Sequence, residues 1–443
     1  MLRLLAPLVV SSLMLLAPRE AKACGGCFSP PTRTTQVTGH RMMLVVSPES
    51  TVLYDQFEYV GEPEDFAWVL PIRGQVEVGL ATDWILTSFD QATAPVIEGP
   101  SVNCGSTDGS GWSPSDDCYG GNGPGPGPSG PGSSTGSSTV PGGMEVVEVL
   151  AQETVGPYET VQLSSADPQA LTGWLEDNGY VIPVEVAPLI ATYVAEDFDF
   201  LVLRLAPGVG VQSMRPVWVK TPGASFDLPL RMVAAGTGAT TAMTLFVLSE
   251  GRYGPDNFPS FVIDPYELVW SFTEGRSNYR ELRAAGFEVS AGFAWLTEAS
   301  YPLQDDFGPA YVEVAPEPED KTAAADLATF VSTLSPLRIT RLSAELSREA
   351  LATDLRLWAD PEQSEVIPYF QVEEYTGDPC GFTADCHEGV DGEGGAPLQV
   401  KADPPSGCLV SPGSNRHAPP VLAFLAVATL AARRLRVRRA PRP

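Results

Sequence analysis

The stretch TVLYDQFEYVGEPEDFAWVLPI, Thr51 to Ile72, alternates apolar and polar residues, breaks at a turn, and then runs almost continuously apolar. In its first half Val52, Tyr54, Gln56 and Glu58 share one side of an extended chain, and Leu53, Asp55, Phe57 and Tyr59 share the other. Each side mixes polar with apolar groups, so the pattern predicts a half-buried strand. Gly61 and Pro63 punctuate the chain before Phe66, Trp68, Val69, Leu70 and Ile72, a short apolar segment closed by Pro71. Two strands meeting in a core fit this pattern, with Trp68 buried as a packing residue rather than exposed for ligand stacking.

The same reading extends along the chain. Val37 to Ser47 predicts a first strand with Met42, Leu44 and Val46 on one face. Val78 to Thr93 places Leu80, Trp84, Ile85 and Phe89 at helical spacing. Met144 to Val161 predicts a hairpin turning at Gly156-Pro157. Asp167 caps a helix that has Pro168 at its first position, Leu171, Trp174 and Leu175 facing inward, and Gly179 as its stop. A second helix from Ala187 offers Leu189, Ile190, Tyr193 and Val194, and Phe198 to Leu205 reads as a strand. Further strands are expected at Pro216 to Lys220, Leu228 to Ala234 and Ala242 to Leu248. A short helix from Asn278 to Ala285 precedes Gly286, and another from Thr322 to Leu334 follows the acidic, Pro-containing connector Pro316 to Asp320. Leu337 to Leu346 suits strand or helix. Segregated strands and helices predict an α+β fold, with mixed or largely antiparallel sheets and a few packed helices.

The segment YVGEPEDFAWVLPI, followed by Val78, Gly79, Leu80 and a helix-like run, resembles the signature of a bacterial exported family of domain of unknown function 2330. The Cys-Gly-Gly opening at Cys24 and the LTGWLEDNGY stretch, Leu171 to Tyr180, are similar to that family too, and the resemblance covers most of residues 24–360. It implies export and a shared fold, and it transfers no catalytic residue.

Both ends of the chain bear on location. MLRLLAPLVVSSLMLLAPREAKAC has a basic Arg3, an apolar run from Leu4 to Ala17 and a small-residue cleavage site at Ala21-Lys22-Ala23, which predicts a signal peptide over residues 1–23. Ordinary cleavage before Cys24 fits better than lipidation, because a lipoprotein signal prefers an apolar residue where Ala21 stands. An exported body is expected over residues 24–375, interrupted by a flexible Gly/Pro/Ser insertion over 101–143 that has too little to bury to offset its ordering entropy. Residues 376–417 read as a polar stalk. A membrane anchor or sorting segment follows at 418–437, with an Arg-rich tail to residue 443. Its apolar core, Val421 to Ala432, is short for a span of about 20 residues unless flanking arginines snorkel, and the arginines belong on the cytoplasmic side. Ser406-Gly407-Cys408 with this tail resembles C-terminal sorting signals of the myxobacterial type, which makes Cys408 the anchor or processing candidate; a retained membrane helix is the alternative.

Composition limits the chemistry. With 42 Gly and 42 Pro among 443 residues, regular helix cannot dominate. The formal charge is -28, and the expected signal and tail hold much of the positive charge. Without Arg3, Arg19, Lys22 and the six arginines from Arg433 to Arg442, 18 basic residues of 27 remain against 54 acidic ones once Glu20 is dropped, near -36. Such a body repels nucleic acid and anionic membrane surfaces. Solubility in a cation-rich exterior explains the acidity, which also allows weak divalent-cation binding.

Seven cysteines in an exported chain leave one over if the rest pair. Cys104 with Cys118 and Cys380 with Cys386 are natural local pairs, and Cys24 and Cys27 lie close in sequence, leaving Cys408. The Cys24-Gly25-Gly26-Cys27 spacing suits a redox dithiol, but Phe28-Ser29-Pro30-Pro31 does not open a helix that would lower a thiol pKa, so structural disulfides are expected. Of the three histidines His40, His387 and His417, His40 alone falls in the body, at a strand entry where a surface or strand-edge role is expected. The one Gly-x-Ser-x-Gly match, Gly132 to Gly136, falls in the low-complexity Gly/Pro/Ser insertion, which does not supply the strand-turn-helix such a nucleophile needs. The carboxylate doublets Glu64/Asp65, Glu196/Asp197 and Asp305/Asp306 carry little signal in a chain with 55 acidic residues. Gly236-Thr237-Gly238 lacks the Lys of a phosphate loop. No cofactor or metal site is implied. These residues favour a non-enzymatic cell-envelope protein with a structural or binding role; an exported carboxylate- or metal-dependent hydrolase is the alternative. The two differ in whether carboxylates converge on a cleft built from Thr51 to Ile72 and Phe198 to Leu205.

Overall fold

A computed structural model describes residues 27–28, 36–60, 67–102, 147–180, 186–209, 214–234 and 239–379. Within them the helices are α1 (Asp83–Thr93), α2 (Pro168–Asp177), α3 (Ala187–Ala195), α4 (Arg231–Ala234), α5 (Tyr279–Val289), α6 (Phe307–Val314) and α7 (Pro318–Val331). Two large sheets organise them, and the fold is α+β as expected.

The larger sheet has eight strands in the spatial order Ser260–Phe261, Trp295–Pro302, Arg338–Ser347, Thr240–Ser249, Gln36–Val46, Ser50–Val60, Val217–Pro222 and Glu77–Leu80. It is mixed, since Thr240–Ser249 pairs in parallel with Gln36–Val46 while Gln36–Val46 and Ser50–Val60 are antiparallel. The smaller sheet is antiparallel throughout, in the order Cys27–Phe28, Ala67–Ile72, Asp199–Leu205, Tyr158–Ser165 and Val147–Val155.

Side-chain alternation stacks these sheets into a sandwich with helices outside. Met42, Leu44, Val46, Leu53 and Leu245 of the large sheet meet Trp68, Leu70, Ile72, Leu201 and Leu203 of the small one in a single buried cluster. On the outer face of the large sheet, Met43, Val45, Val52, Tyr54 and Phe246 pack against α1, α6 and α7. On the outer face of the small sheet, Val69, Phe200 and Val202 pack against Leu171, Leu175, Ile190 and Tyr193 of α2 and α3. Four layers result, helix, sheet, sheet, helix, and the strands from Thr51 to Asp55 are buried on both faces rather than half buried. Both faces of a sheet covered is what turns its strands into near-continuous apolar runs.

Several elements differ from the sequence expectation for physical reasons. Leu80 ends the Glu77–Leu80 strand, whose residues pair with Val217–Pro222, and the helix starts only at Asp83. Leu228 to Ala234 is a two-residue strand, Asp227–Leu228, followed by the short α4, because Pro229 cannot extend a ladder. Gly286 lies inside α5 rather than ending it: a Cβ there would meet Phe261 Cε2 at 2.4 Å, so the glycine serves close packing. The acidic connector joins α7, which begins at Pro318 with Glu319 and Asp320 in its first turn, where the helix dipole favours them. Leu337 to Leu346 is the Arg338–Ser347 strand, flanked on both sides in the large sheet.

The hairpin turns at Gly156, whose φ of 56° needs a glycine, and the Asp167 carboxylate accepts from the backbone N–H of Gln169 and Ala170 as an N-cap. Trp68 is buried as a packing residue.

Candidate functional site

A cleft of about 510 Å3 opens where the two sheets part. Its floor is Leu44, Leu53, Leu70, Ile72, Val219 and Leu228, inward-facing positions of four strands of the two sheets and of the short Asp227–Leu228 strand before α4. One lip is the 221–229 segment. The Thr51 hydroxyl donates to the Gly223 carbonyl at 2.9 Å and accepts from the Ser225 N–H at 2.7 Å, which pins this lip to a central strand. Leu357 N–H donates to the Phe226 carbonyl at 2.8 Å, tying the lip to the Leu355–Ala359 strand.

Charge lines the mouth of the cleft. The Arg73 guanidinium lies 3.8 Å from the centre of the Phe198 ring, and Arg356, on the strand beside the 221–229 lip, pairs with Asp256 at 2.5 Å. Asp354 at the cleft wall anchors a larger network. Its Oδ1 accepts from the Tyr193 hydroxyl at 2.7 Å and the Arg231 backbone N–H at 2.9 Å; its Oδ2 accepts from Arg231 Nε at 2.8 Å and Nη2 at 2.6 Å. The far edge of the Arg231 guanidinium forks onto Glu196, with Nη1 to Oε1 at 2.8 Å and Nη2 to Oε2 at 2.5 Å. Arg231 also stacks 4.2 Å from the Tyr193 ring. Burial first, then the Asp354 charge, pushes the Tyr193 phenol well up, so it stays a hydrogen-bond donor. The Arg231 hydrogen bonds hold the Glu196 carboxyl below its ordinary value. The network joins α3, α4 and the Leu355–Ala359 approach; it clamps elements together and leaves no oxygen of Asp354 uncommitted.

The structure redistributes the sequence candidates. His40 is buried at 3% exposure, not at a surface or strand edge, because its strand is flanked on both sides in the large sheet; its Nδ1 lies 3.5 Å from Asp55 Oδ1. Glu196 joins the Arg231 network while Asp197 and Asp305/Asp306 are exposed, and Glu64/Asp65 and Gly236-Thr237-Gly238 lie outside the described residues. Cys27 belongs to a two-residue strand opposite Ala67 and Trp68. Cys24, Cys104, Cys118, Cys380, Cys386 and Cys408 lie outside the described residues, as do the signal peptide, the insertion from residue 103, and the anchor segment. Among the described residues no helix is long and apolar enough to cross a membrane, and no cluster of three or more His, Cys, Asp or Glu could hold a metal ion. Sequence reasoning missed Arg231 and Asp354, which are 123 residues apart and carry no local motif.

Comparison with known proteins adds one firm result. No curated protein matches the chain. Among solved structures, a mutated baculovirus P35 after caspase cleavage aligns at 10% identity over 48% of this chain and 66% of that one, with a TM-score of 0.25, too low to carry an argument. A family model described as an uncharacterized protein conserved in bacteria matches residues 18–305, which include the small sheet and all of the large sheet but the Arg338–Ser347 strand, and the chain therefore belongs to that family, DUF2330.

Proposed function

We propose that the protein is exported, held at the cell envelope near its C-terminus, and acts there by binding an apolar ligand of small-molecule size rather than by hydrolysis. The signal-like N-terminus and the apolar Val421 to Ala432 run with its arginines support the location. The observation that carries the binding role is the make-up of the cleft. Among the described residues, the stretches Thr51 to Ile72 and Phe198 to Leu205 supply Thr51, Leu53, Leu70, Pro71, Ile72 and Phe198 to it, and no carboxylate. Two carboxylates line the cleft among the described residues, Asp227 and Asp354, and both oxygens of Asp354 are committed to Arg231 and Tyr193, which leaves no free pair for acid and base work. Its volume falls within the roughly 300–1,000 Å3 of small-molecule sites, and its floor is apolar. Pro71 on the lip lacks the N–H that an added peptide strand would need, which disfavours strand addition there.

Two measurements test this. Fractionation of the native protein with mass determination of its C-terminal peptide reads the location; intact, reduced protein in the cytosol would overturn it. Titration of the purified chain with an environment-sensitive apolar fluorophore reads the cleft. Ala224 is exposed at the lip, so Ala224→Trp should block saturable binding without disturbing the core; unchanged binding in that variant would remove the cleft from the proposal.

A further inference from the structure

A second cavity, of about 330 Å3, lies away from the cleft, between the Trp295–Pro302 strand, the 262–265 turn, α5 and the 362–370 segment. Its apolar wall includes Ile263, Leu296 and Phe370, which belong to a separate small core with Phe287 of α5. Set against this wall are two charged side chains that are almost completely buried, Glu298 at 5% exposure and Arg252 at 6%.

Neither is fully used by the protein. Glu298 Oε2 accepts from Arg341 Nε at 2.6 Å, but the nearest donors to Oε1 stand off, Tyr279 OH at 3.4 Å and Arg283 Nε at 3.7 Å. Arg252 Nε is 3.1 Å from Asp360 Oδ2, yet the N–H points off that line and this buried nitrogen makes no hydrogen bond. A second guanidinium sits close by. Gln363 binds the Arg252 backbone at 2.9 Å through its Oε1, and its own carbonyl accepts from Arg338 Nη1 at 2.9 Å. Arg338 Nε is likewise buried without an acceptor. Burial pushes the Arg338 guanidinium down, and Arg252 adds to the effect while Glu365 opposes it.

A buried guanidinium with an unmade hydrogen bond is costly, and a carboxylate is the group whose geometry matches its fork. The rim, however, carries the exposed carboxylates Glu362 and Glu365, which repel a phosphate or any polyanion in an already acidic protein. Glu298 Oε1, held only by the long bond from the Tyr279 hydroxyl, can accept from a further donor. We infer that this cavity is a site for a small zwitterion with an apolar body, an amino acid or a short peptide, its carboxylate on Arg252, its ammonium toward Glu298, and its side chain against Ile263, Leu296 and Phe370. The site is separate from the apolar cleft and does not depend on what occupies it.

Calorimetric titration of the purified full-length chain tests the assignment, with L-leucine and L-leucyl-L-leucine as ligands and N-acetyl-L-leucine and L-leucinamide as controls. At least one free zwitterion should bind saturably, and capping either charge should weaken binding at least tenfold. Arg252→Lys keeps the charge without the fork and should weaken binding about tenfold, the effect of one lost charge-assisted bond. Val366→Trp, which fills the half-buried cavity wall without touching a charge, should abolish binding, while Ala224→Trp in the other cleft should leave it unchanged. Circular dichroism and melting curves establish that each variant is folded. Absence of binding by both zwitterions, full binding by a folded Val366→Trp protein, or equal binding of N-acetyl-L-leucine and L-leucine would each overturn the assignment.

Discussion

At the scale of single residues the strongest organiser is Arg231, whose guanidinium bridges Asp354 and Glu196 and stacks on Tyr193. Asp354→Ala leaves one edge of Arg231 and the Tyr193 hydroxyl without acceptors in a largely buried setting, and it should cost about 3 kcal/mol in urea denaturation. A loss within experimental error would show that water replaces the carboxylate. Glu196 is more exposed, and its effect appears in pH dependence instead. Its folded-state pKa is held below the ordinary 4.5 by the Arg231 hydrogen bonds, so its contribution is complete above that value and fades as pH falls through the lower, folded-state pKa. The stability gap between wild type and Glu196→Gln should therefore be present at neutral pH and close as pH falls below the ordinary 4.5 and through the lower folded-state pKa. A gap that persists into acid would contradict the pairing. None of this was legible in the sequence, because a contact 123 residues long leaves no spacing to read. His40 was misjudged for a related reason: burial at that position is set by neighbouring strands, not by its own flanking Gly39 and Arg41.

At the scale of elements, Gly286 shows how a helix can look terminated and continue. In α5 it faces Phe261, and a Cβ would press into the ring at 2.4 Å. Gly286→Ala should gain helix propensity but lose more to overpacking, a net destabilisation of about 1 kcal/mol or more by thermal melting. Stabilisation would mean that Phe261 rotates away without cost. Elements with local chemistry were legible: the Gly156 turn, the Asp167 cap with Pro168, and the alternation of Met42, Leu44 and Val46. Elements buried on both faces were read unevenly: Phe198 to Leu205 and Ala242 to Leu248 were recognised as strands, others only in part. Leu337 to Leu346 and Thr51 to Asp55 carry apolar groups on both sides, so period alone could not separate strand from helix or full from half burial. Leu80 has helical spacing to Trp84 only because a strand and a helix abut at Ala81 and Thr82. The strands that carry Leu44, Leu53, Leu70 and Val219 into the cleft could be named from the sequence, but the Leu355–Ala359 strand and the 221–229 lip could not, since the Thr51 to Ser225 bond spans 174 residues.

At the scale of the whole molecule, a four-layer body must hold together under a formal charge of -28. Arginines such as Arg231 and Arg341 sit in ion pairs in the interior or at element junctions, and with 55 acidic residues against 27 basic ones in the chain the surface keeps an excess of carboxylates. Self-repulsion of like charges favours expansion, and salt weakens it once the screening length, about 10 Å at 0.1 M, falls below the spacing of surface charges. Raising sodium chloride from about 20 mM to about 300 mM should therefore raise the melting temperature by several degrees. The sign matters, because the internal Arg–carboxylate pairs are poorly screened and pull only weakly the other way. A melting temperature that falls with salt would mean that attractive pairs dominate the charge balance. Calcium chloride at matched ionic strength separates screening from site binding: with carboxylates spread over the surface it should match sodium chloride within about a degree, whereas a further, saturable rise would reveal a dedicated cation site.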